Sequence, residues 1–189
     1  MTLDLTSLDD GELAALSVAG RDSAFAELMR RHRNAVYRIV MGNIADTDEA
    51  LDLVQETFVS AHRALRSYDA ARPMRSWLAA IALNKCRDWR RRRAVRRLFA
   101  FALPLDGESE QVPDGHASPA VQVADREELA AVAAAIAELP SALREPLVLR
   151  TLQELSQAET AAILRITEKA VETRVRRARI SLAERLGLR

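Results

Sequence analysis

A chain of 189 residues can form one medium domain or two small ones, and its 28 basic and 27 acidic side chains leave a formal net charge of +1. A single cysteine, Cys86, excludes an internal disulfide framework, and the scattered His32, His62 and His116 have no metal-ligand spacing, so neither metal nor cofactor is expected. The opening Met1-Thr2-Leu3-Asp4 lacks the basic-then-apolar order of a secretion signal, and no apolar run nears the roughly 18 residues of a membrane span. The expectation is a cytoplasmic protein with no membrane insertion.

Residues 21–72 contain one glycine, Gly42, and no proline, a composition that favours helices. Asp9 can cap a first helix, with Glu12 completing a capping box. Phe25, Leu28, Met29, Val36, Ile39 and Val40 recur at helical spacing and predict one buried stripe. A break over Gly42 to Thr47 separates this stretch from a helix running through Leu51, Leu53, Val54, Phe58 and Leu65. Tyr68 to Pro73 reads as a loop, because proline cannot continue a helix and biases Arg72 away from helical geometry. A long helix then starts near Ser76 and runs into an arginine-rich stretch. Three or four helices packed as one bundle are expected over residues 1–99.

Charge is segregated along the chain. Asn84 to Arg97 carries eight Lys or Arg against one acid, whereas Pro104 to Glu128 carries seven acids against one Arg. The second stretch also holds Pro104, Pro113, Pro119, Gly107 and Gly115 and few residues able to build a core, so residues 100–124 read as a flexible acidic linker. Helical periodicity returns over 125–189, with Leu129, Val132, Ile136 and Leu139 on one helix, Leu143 to Leu152 on another, Ser156 to Leu164 on a third and Thr167 to Leu186 on a fourth.

Ser156 and Glu159 form a second capping box, opening a short helix that buries Ala161, Ile163 and Leu164. A turn over Arg165 and Ile166 follows, and Thr167 can cap the next helix. That is the helix-turn-helix layout. On the last helix Val171, Val175, Ala178 and Leu182 line one face, while Lys169, Thr173, Arg176 and Arg177 lie roughly opposite and can enter a major groove. Arg174 and Arg179 flank that face within reach of phosphates.

Asp52-Leu53-Val54-Gln55-Glu56-Thr57-Phe58, followed by Trp77-Leu78-Ala79-Ala80-Ile81-Ala82-Leu83-Asn84, resembles region 2 of the extracytoplasmic-function (ECF) sigma factors, group IV of the sigma-70 family. Leu139-Pro140, then Arg144-Glu145-Pro146-Leu147-Val148-Leu149-Arg150, then Val171 to Arg179, resembles region 4. The resemblance implies an all-α protein of two small helical domains that joins core RNA polymerase and directs it to promoters. It assigns core binding to Asp52, Gln55 and Glu56, and the melted minus-ten element to Tyr68, Asp69, Arg72, Asn84, Lys85, Arg87 and Arg91. There Tyr68 and Asn84 would stack on or bond a flipped base, whose unstacking costs a few kcal/mol. Phosphate contacts from Lys85, Arg87, Arg90, Arg91, Arg92 and Arg93 would help offset that cost. Trp77 and Trp89 read as packing residues.

Region 4 would read the minus-thirty-five element as duplex DNA through Lys169, Glu172, Thr173, Arg176 and Arg177. Two positions depart from the family pattern. Arg165 stands where the turn commonly has glycine, a costly choice if the backbone there has positive φ. Glu172 stands where many relatives carry a basic or polar DNA-facing residue. The resemblance also implies an anti-sigma protein as partner and no catalytic residues. A helix-turn-helix regulator that never joins polymerase is the alternative, but it leaves the first half of the chain unexplained. A helical nuclease or hydrolase would need clustered acids with metal-ligand geometry, and the acids at Asp46, Asp48, Glu49 and Asp52 are better explained as a charged helix start.

Overall fold

The computed structural model describes residues 4–102 and 120–187, so residues 103–119 of the expected linker lie outside the described part. Local signals set the helix boundaries. Asp9 accepts from the Glu12 backbone N–H at 2.8 Å and the Glu12 carboxylate accepts from the Asp9 N–H at 2.8 Å, so α1 (Asp10–Val18) opens with both halves of a capping box. Helix α2 (Asp22–Ile44) ends at Ala45, which is left-handed at φ 51, and Asp46 then caps α3 (Thr47–Ala64). A short 3-10 turn, Leu65–Ser67, leads into the expected loop, and α4 (Met74–Ala102) begins at Met74 rather than near Ser76. The second half comprises α5 (Ala120–Glu138), α6 (Ser141–Thr151), α7 (Gln157–Leu164) and α8 (Glu168–Arg185). All regular structure among the described residues is helical.

Helices α1 to α4 close around Leu13, Leu28, Ile39, Leu53, Leu83 and Trp89. Most of the stripe read from α2 is buried, but Met29 is 37 % exposed and Phe25 half-buried, which leaves an apolar edge at the surface. The N-terminal turn is tied to α2 by Arg31, whose guanidinium donates to the Leu8 carbonyl at 2.8 Å and the Thr6 carbonyl at 2.9 Å. Helices α6 and α8 pack around a smaller cluster of Leu139, Leu147 and Ala178, with Ile136, Val175 and Leu182 partly buried against it. Leu129, expected to face inward, is 69 % exposed, whereas Ile136 of the same helix is partly buried against the cluster.

The two halves pack directly on each other. Leu149 and Leu155 of the second half, each about fully buried, belong to the apolar cluster of the first, and Ile163 and Leu164 pack against it. Gly42, read as a helix break from the sequence, lies inside α2 and marks this contact instead. A Cβ there would lie 2.9 Å from both Val148 Cγ2 and Leu152 Cδ1, so only glycine lets α6 approach this closely.

Serine 156 accepts from the Glu159 N–H at 3.1 Å and the Glu159 carboxylate accepts from the Ser156 N–H at 2.8 Å, so the second expected capping box is present. Helix α7 then ends at Arg165 with φ 55, and Ile166 N–H donates back to the Ala161 carbonyl at 3.1 Å. Arginine thus occupies a left-handed position whose Cβ strain glycine escapes. Arg165→Gly is expected to raise unfolding stability by about 0.5–1 kcal/mol, the relieved strain less glycine's added unfolded-state entropy. Urea denaturation measures this, and a loss of stability would mean that the arginine side chain contributes more than its backbone costs.

Candidate nucleic-acid interface

On α8, alternation of exposure follows the expected periodicity. Val171 and Ala178 are buried, while Lys169, Glu172, Arg176 and Arg177 are exposed and Thr173 is half-buried. Thr173 Oγ1 donates to the Lys169 carbonyl at 2.9 Å, and Lys169 Nζ lies 2.9 Å from Glu172 Oε2. Glu172 therefore restrains Lys169 at the N-terminal end of the face. Arg176 and Arg177 donate to no group of the described residues and project a double positive charge, which suits guanine edges and phosphates.

Helix α3 carries Asp52, Gln55 and Glu56 on one side, exposed for the first two and half-buried for Glu56. They share a shallow concavity with Ser60, Arg63 and Lys85. Lys85 Nζ sits 3.4 Å from Glu56 Oε2, so this lysine belongs with the α3 acids and not with the other residues assigned to the minus-ten element. Beside it runs an apolar groove of Phe25, Met29, Phe58, Val59 and His62, sharing Gln55 and Arg63 with the acidic patch. The Phe25 ring meets the His62 ring edge-on at 4.7 Å. This groove escaped the sequence reading because Met29 fits the α2 stripe as well as any buried residue does, and its exposure depends on how α3 is placed.

The loop before α4 is built by its own side chains. Tyr68 Oη donates to the Arg72 carbonyl at 2.7 Å, Asp69 accepts from the Ala71 N–H at 3.0 Å, and the Tyr68 ring tilts onto Trp77 at 5.2 Å. Arg72 is exposed, with Asp69 at 3.8 Å. Along α4, Asn84 is exposed and its Oδ1 accepts from Arg87 Nη1 at 3.3 Å, so Arg72, Trp77, Asn84 and Arg87 line one cleft. Arg91 is exposed and pairs with Asp88 at 3.0 Å.

Two arginines expected at phosphates are occupied elsewhere. Arg90 donates to the Asn43 carbonyl at 3.0 Å and to the Ala137 carbonyl, tying α2 to α5, and burial lowers its pKa. Arg93 lies over the Trp89 ring at 5.0 Å and 3.3 Å from Asp46. Trp89 itself is buried and donates from Nε1 to Glu49 at 2.8 Å, and Trp77 is half-buried, so both tryptophans pack as expected. Cys86 is buried beside this arginine group, and burial pushes its thiol up to about 12, which leaves it protonated and unreactive.

The far wall of the Asn84 cleft comes from α7. Glu159, Ala162, Ile163, Leu164 and Arg165 face Arg72, Ser76, Trp77 and Arg87 across about 570 Å³. Arg75 Nη2 donates to Glu159 Oε1 at 3.1 Å and Ser76 Oγ to the same oxygen at 3.1 Å. Arg87 Nε donates to Glu145 Oε1 at 2.8 Å, and its second nitrogen reaches Glu145 Oε2, a bidentate fork.

Comparison with known proteins decides what these surfaces belong to. Residues 28–96 match the model for sigma-70 region 2, and residues 129–182 match that for sigma-70 region 4. The RNA polymerase sigma factor CnrH of Cupriavidus metallidurans is 42 % identical over 92 % of both chains. The chain belongs to the ECF sigma factors of the sigma-70 family. The ECF sigma factor SigM of Mycobacterium tuberculosis is 36 % identical over 94 % of this chain and 85 % of its own. A solved structure of CnrH in complex with the cytosolic domain of CnrY superposes with a TM-score of 0.69, at 34 % identity over 94 % of this chain and 97 % of that one. As a sigma factor the chain binds core RNA polymerase and directs transcription initiation at promoters. Among the described residues no helix is long and apolar enough to cross a membrane.

Glu159 carries a measurable signature of its position. Burial works to raise its pKa but is outweighed by hydrogen bonds from Ser156, Arg75 and Ser76, which hold it at about 2 against an ordinary 4.5. A lowered folded-state pKa gives stability that is complete above the unfolded value and is lost as pH falls towards the folded one. Glu159→Gln is therefore expected to be less stable than the parent at neutral pH, with the gap closing between about pH 5 and 2. Urea titrations at stepped pH test this, and a gap independent of pH would show that the carboxylate's charge contributes nothing.

Proposed function

We propose that the two regions divide promoter recognition between them. Residues 1–99 form the unit that holds polymerase and the melted minus-ten strand, residues 125–189 read the minus-thirty-five duplex, and residues 100–124 join them. Asp52, Gln55 and Glu56 dock on a basic surface of the polymerase through charge-assisted hydrogen bonds. Tyr68, Asp69, Arg72 and Asn84 receive the extruded base and its neighbours, and Arg87 and Arg91 take phosphates. Lys85 serves this strand only if it leaves Glu56. On α8, Lys169, Thr173, Arg176 and Arg177 enter the major groove, and Glu172 accepts from a cytosine amino group or steers Lys169.

The observation that carries this reading is the orientation of α8, with Val171 and Ala178 buried and Arg176 and Arg177 turned to solvent. A recognition helix with the opposite roll would hold its arginines against Leu139 and Leu147. The chain acts without catalysis of its own, in the cytoplasm, and is held inactive by an anti-sigma protein. Support for such a partner is the relative CnrH, solved with the cytosolic domain of CnrY.

Run-off transcription with purified core polymerase and a promoter library tests the whole reading, and absence of a promoter-specific transcript would sink it. Arg176→Ala and Arg177→Ala are each expected to weaken upstream-element recognition by about 1–3 kcal/mol and to leave core binding nearly unchanged. Asp52→Ala combined with Glu56→Ala should do the reverse. Equal loss of both activities in either set contradicts the division of labour.

A further inference from the structure

The cleft between α4 and α7 holds more positive charge than the chain itself neutralises. Glu159 is taken by Arg75 and Ser76, and Arg87 is taken by Glu145 and Asn84 Oδ1. Arg72 and Arg165 remain, lining the cleft from opposite walls. Arg72 has only Asp69 at 3.8 Å, with its side chain 79 % exposed, and Arg165 is exposed and pairs with no acid among the described residues. Two like charges on one cleft without a counter-charge focus a positive potential inside it. Arg165 also holds its place at a conformational cost. Its φ of 55 is left-handed, where glycine would carry no Cβ strain, and strain of that kind persists where the side chain has a task.

The rest of the cleft has the make-up of a small-ligand site. Ala80, Leu83, Ile163 and Leu164 give it apolar sides, and its volume of about 570 Å³ lies within the roughly 300–1,000 Å³ of such pockets. Asn84 accepts from Arg87 through Oδ1, while its Nδ2 donates to no group of the described residues and so offers N–H donors to the cleft. We propose that this cleft binds a free nucleotide. Arg72 and Arg165 take its phosphates, Asn84 Nδ2 donates to an acceptor on the base edge, and the apolar sides cover the base. Two cations and one amide in a bounded cleft match a single nucleotide. The α7 wall takes no part in the minus-ten site, so this ligand is separate from the promoter strand proposed above.

Isothermal titration calorimetry on the full chain, with ADP, adenosine and inorganic pyrophosphate in magnesium-free buffer, reads the site. ADP should bind at a single site, at least about ten-fold more tightly than adenosine or pyrophosphate, because only ADP meets both the cations and the amide. Arg165→Gly and Asn84→Ala should each weaken ADP binding by about ten-fold. Glycine at position 165 relieves the backbone, so this variant should lose the ligand without losing the fold, which thermal unfolding in the same buffer checks. Arg38→Ala, at an exposed position of α2 outside the cleft, should bind ADP as the unaltered chain does.

Absence of saturable heat with ADP overturns the proposal. So does pyrophosphate binding as tightly as ADP, which reduces the cleft to an anion site. Equal weakening in Arg38→Ala marks diffuse charge attraction and overturns it too. A short deoxyadenylate strand that displaces ADP at a lower nucleotide concentration than AMP does assigns the cleft to a strand and rejects the free ligand. Should Arg165→Gly not fold, Asn84→Ala decides by the same titration, since Asn84 is exposed and its truncation leaves no cavity.

Discussion

Arg144 is the constraint around which the two halves are arranged. Its side chain is 2 % exposed, and burial, helped by the neighbouring charge of Arg90, lowers its pKa to about 10, so it stays charged at neutral pH. A buried guanidinium is tolerable only where its donors are met. Its Nε donates to Asn43 Oδ1 at 3.2 Å, and its Nη1 donates to the Ala137 carbonyl at 3.0 Å and the Leu139 carbonyl at 2.6 Å. One of these acceptors belongs to the last turn of α5, one to the turn that follows it and one to the end of α2. Asn43 is placed for the task because its Nδ2 donates to the Ile39 carbonyl at 2.7 Å, which aims the oxygen outward. Gly42 then lets α6 close over the site.

That geometry sorts the arginines of α4 by what lies opposite each of them. Arg90 shares the Ala137 carbonyl with Arg144, takes the backbone carbonyl of Asn43 as well, and is structural. Arg87, one turn back, meets Glu145, the residue following Arg144, so the same helix that buries one cation supplies the carboxylate for another. Further along, Arg91 and Arg92 are exposed, Arg93 stacks on Trp89, and Arg96 and Arg97 are exposed. A run that looks uniform in sequence is therefore divided into a half-buried tie at Arg90, a cleft-facing Arg87, an Arg93 laid on Trp89 and a solvated end.

The features legible in the sequence are those fixed within a few residues. Asp9 with Glu12, and Ser156 with Glu159, need only each other to start a helix, and both capping boxes stand where they were read. Val171, Val175, Ala178 and Leu182 define the inner face of α8 by spacing alone. Arg165 in the turn could be flagged because a backbone with positive φ penalises any Cβ. What escaped depends on partners far away in the chain. Gly42 reads locally as a helix breaker, yet inside a helix held by its neighbours its missing side chain serves a close approach to Val148 and Leu152. Arg90 cannot be told from Arg91 until α5 delivers the Ala137 carbonyl. Met29 and Leu129 follow the apolar pattern and still face outward, because periodicity gives a face its direction only relative to the helices that cover it.

Separation of the halves exposes more than charges. Leu149 and Leu155 are buried in the apolar cluster of the N-terminal helices, and fully burying a leucine contributes about 1.5–3 kcal/mol. Opening also returns Arg144 and Arg90 to water, which refunds part of their desolvation and so weakens the hold that the polar contacts alone would give. The apolar contacts at Leu149 and Leu155 therefore contribute more to this seam than the ion pairs of Glu145 and Glu159.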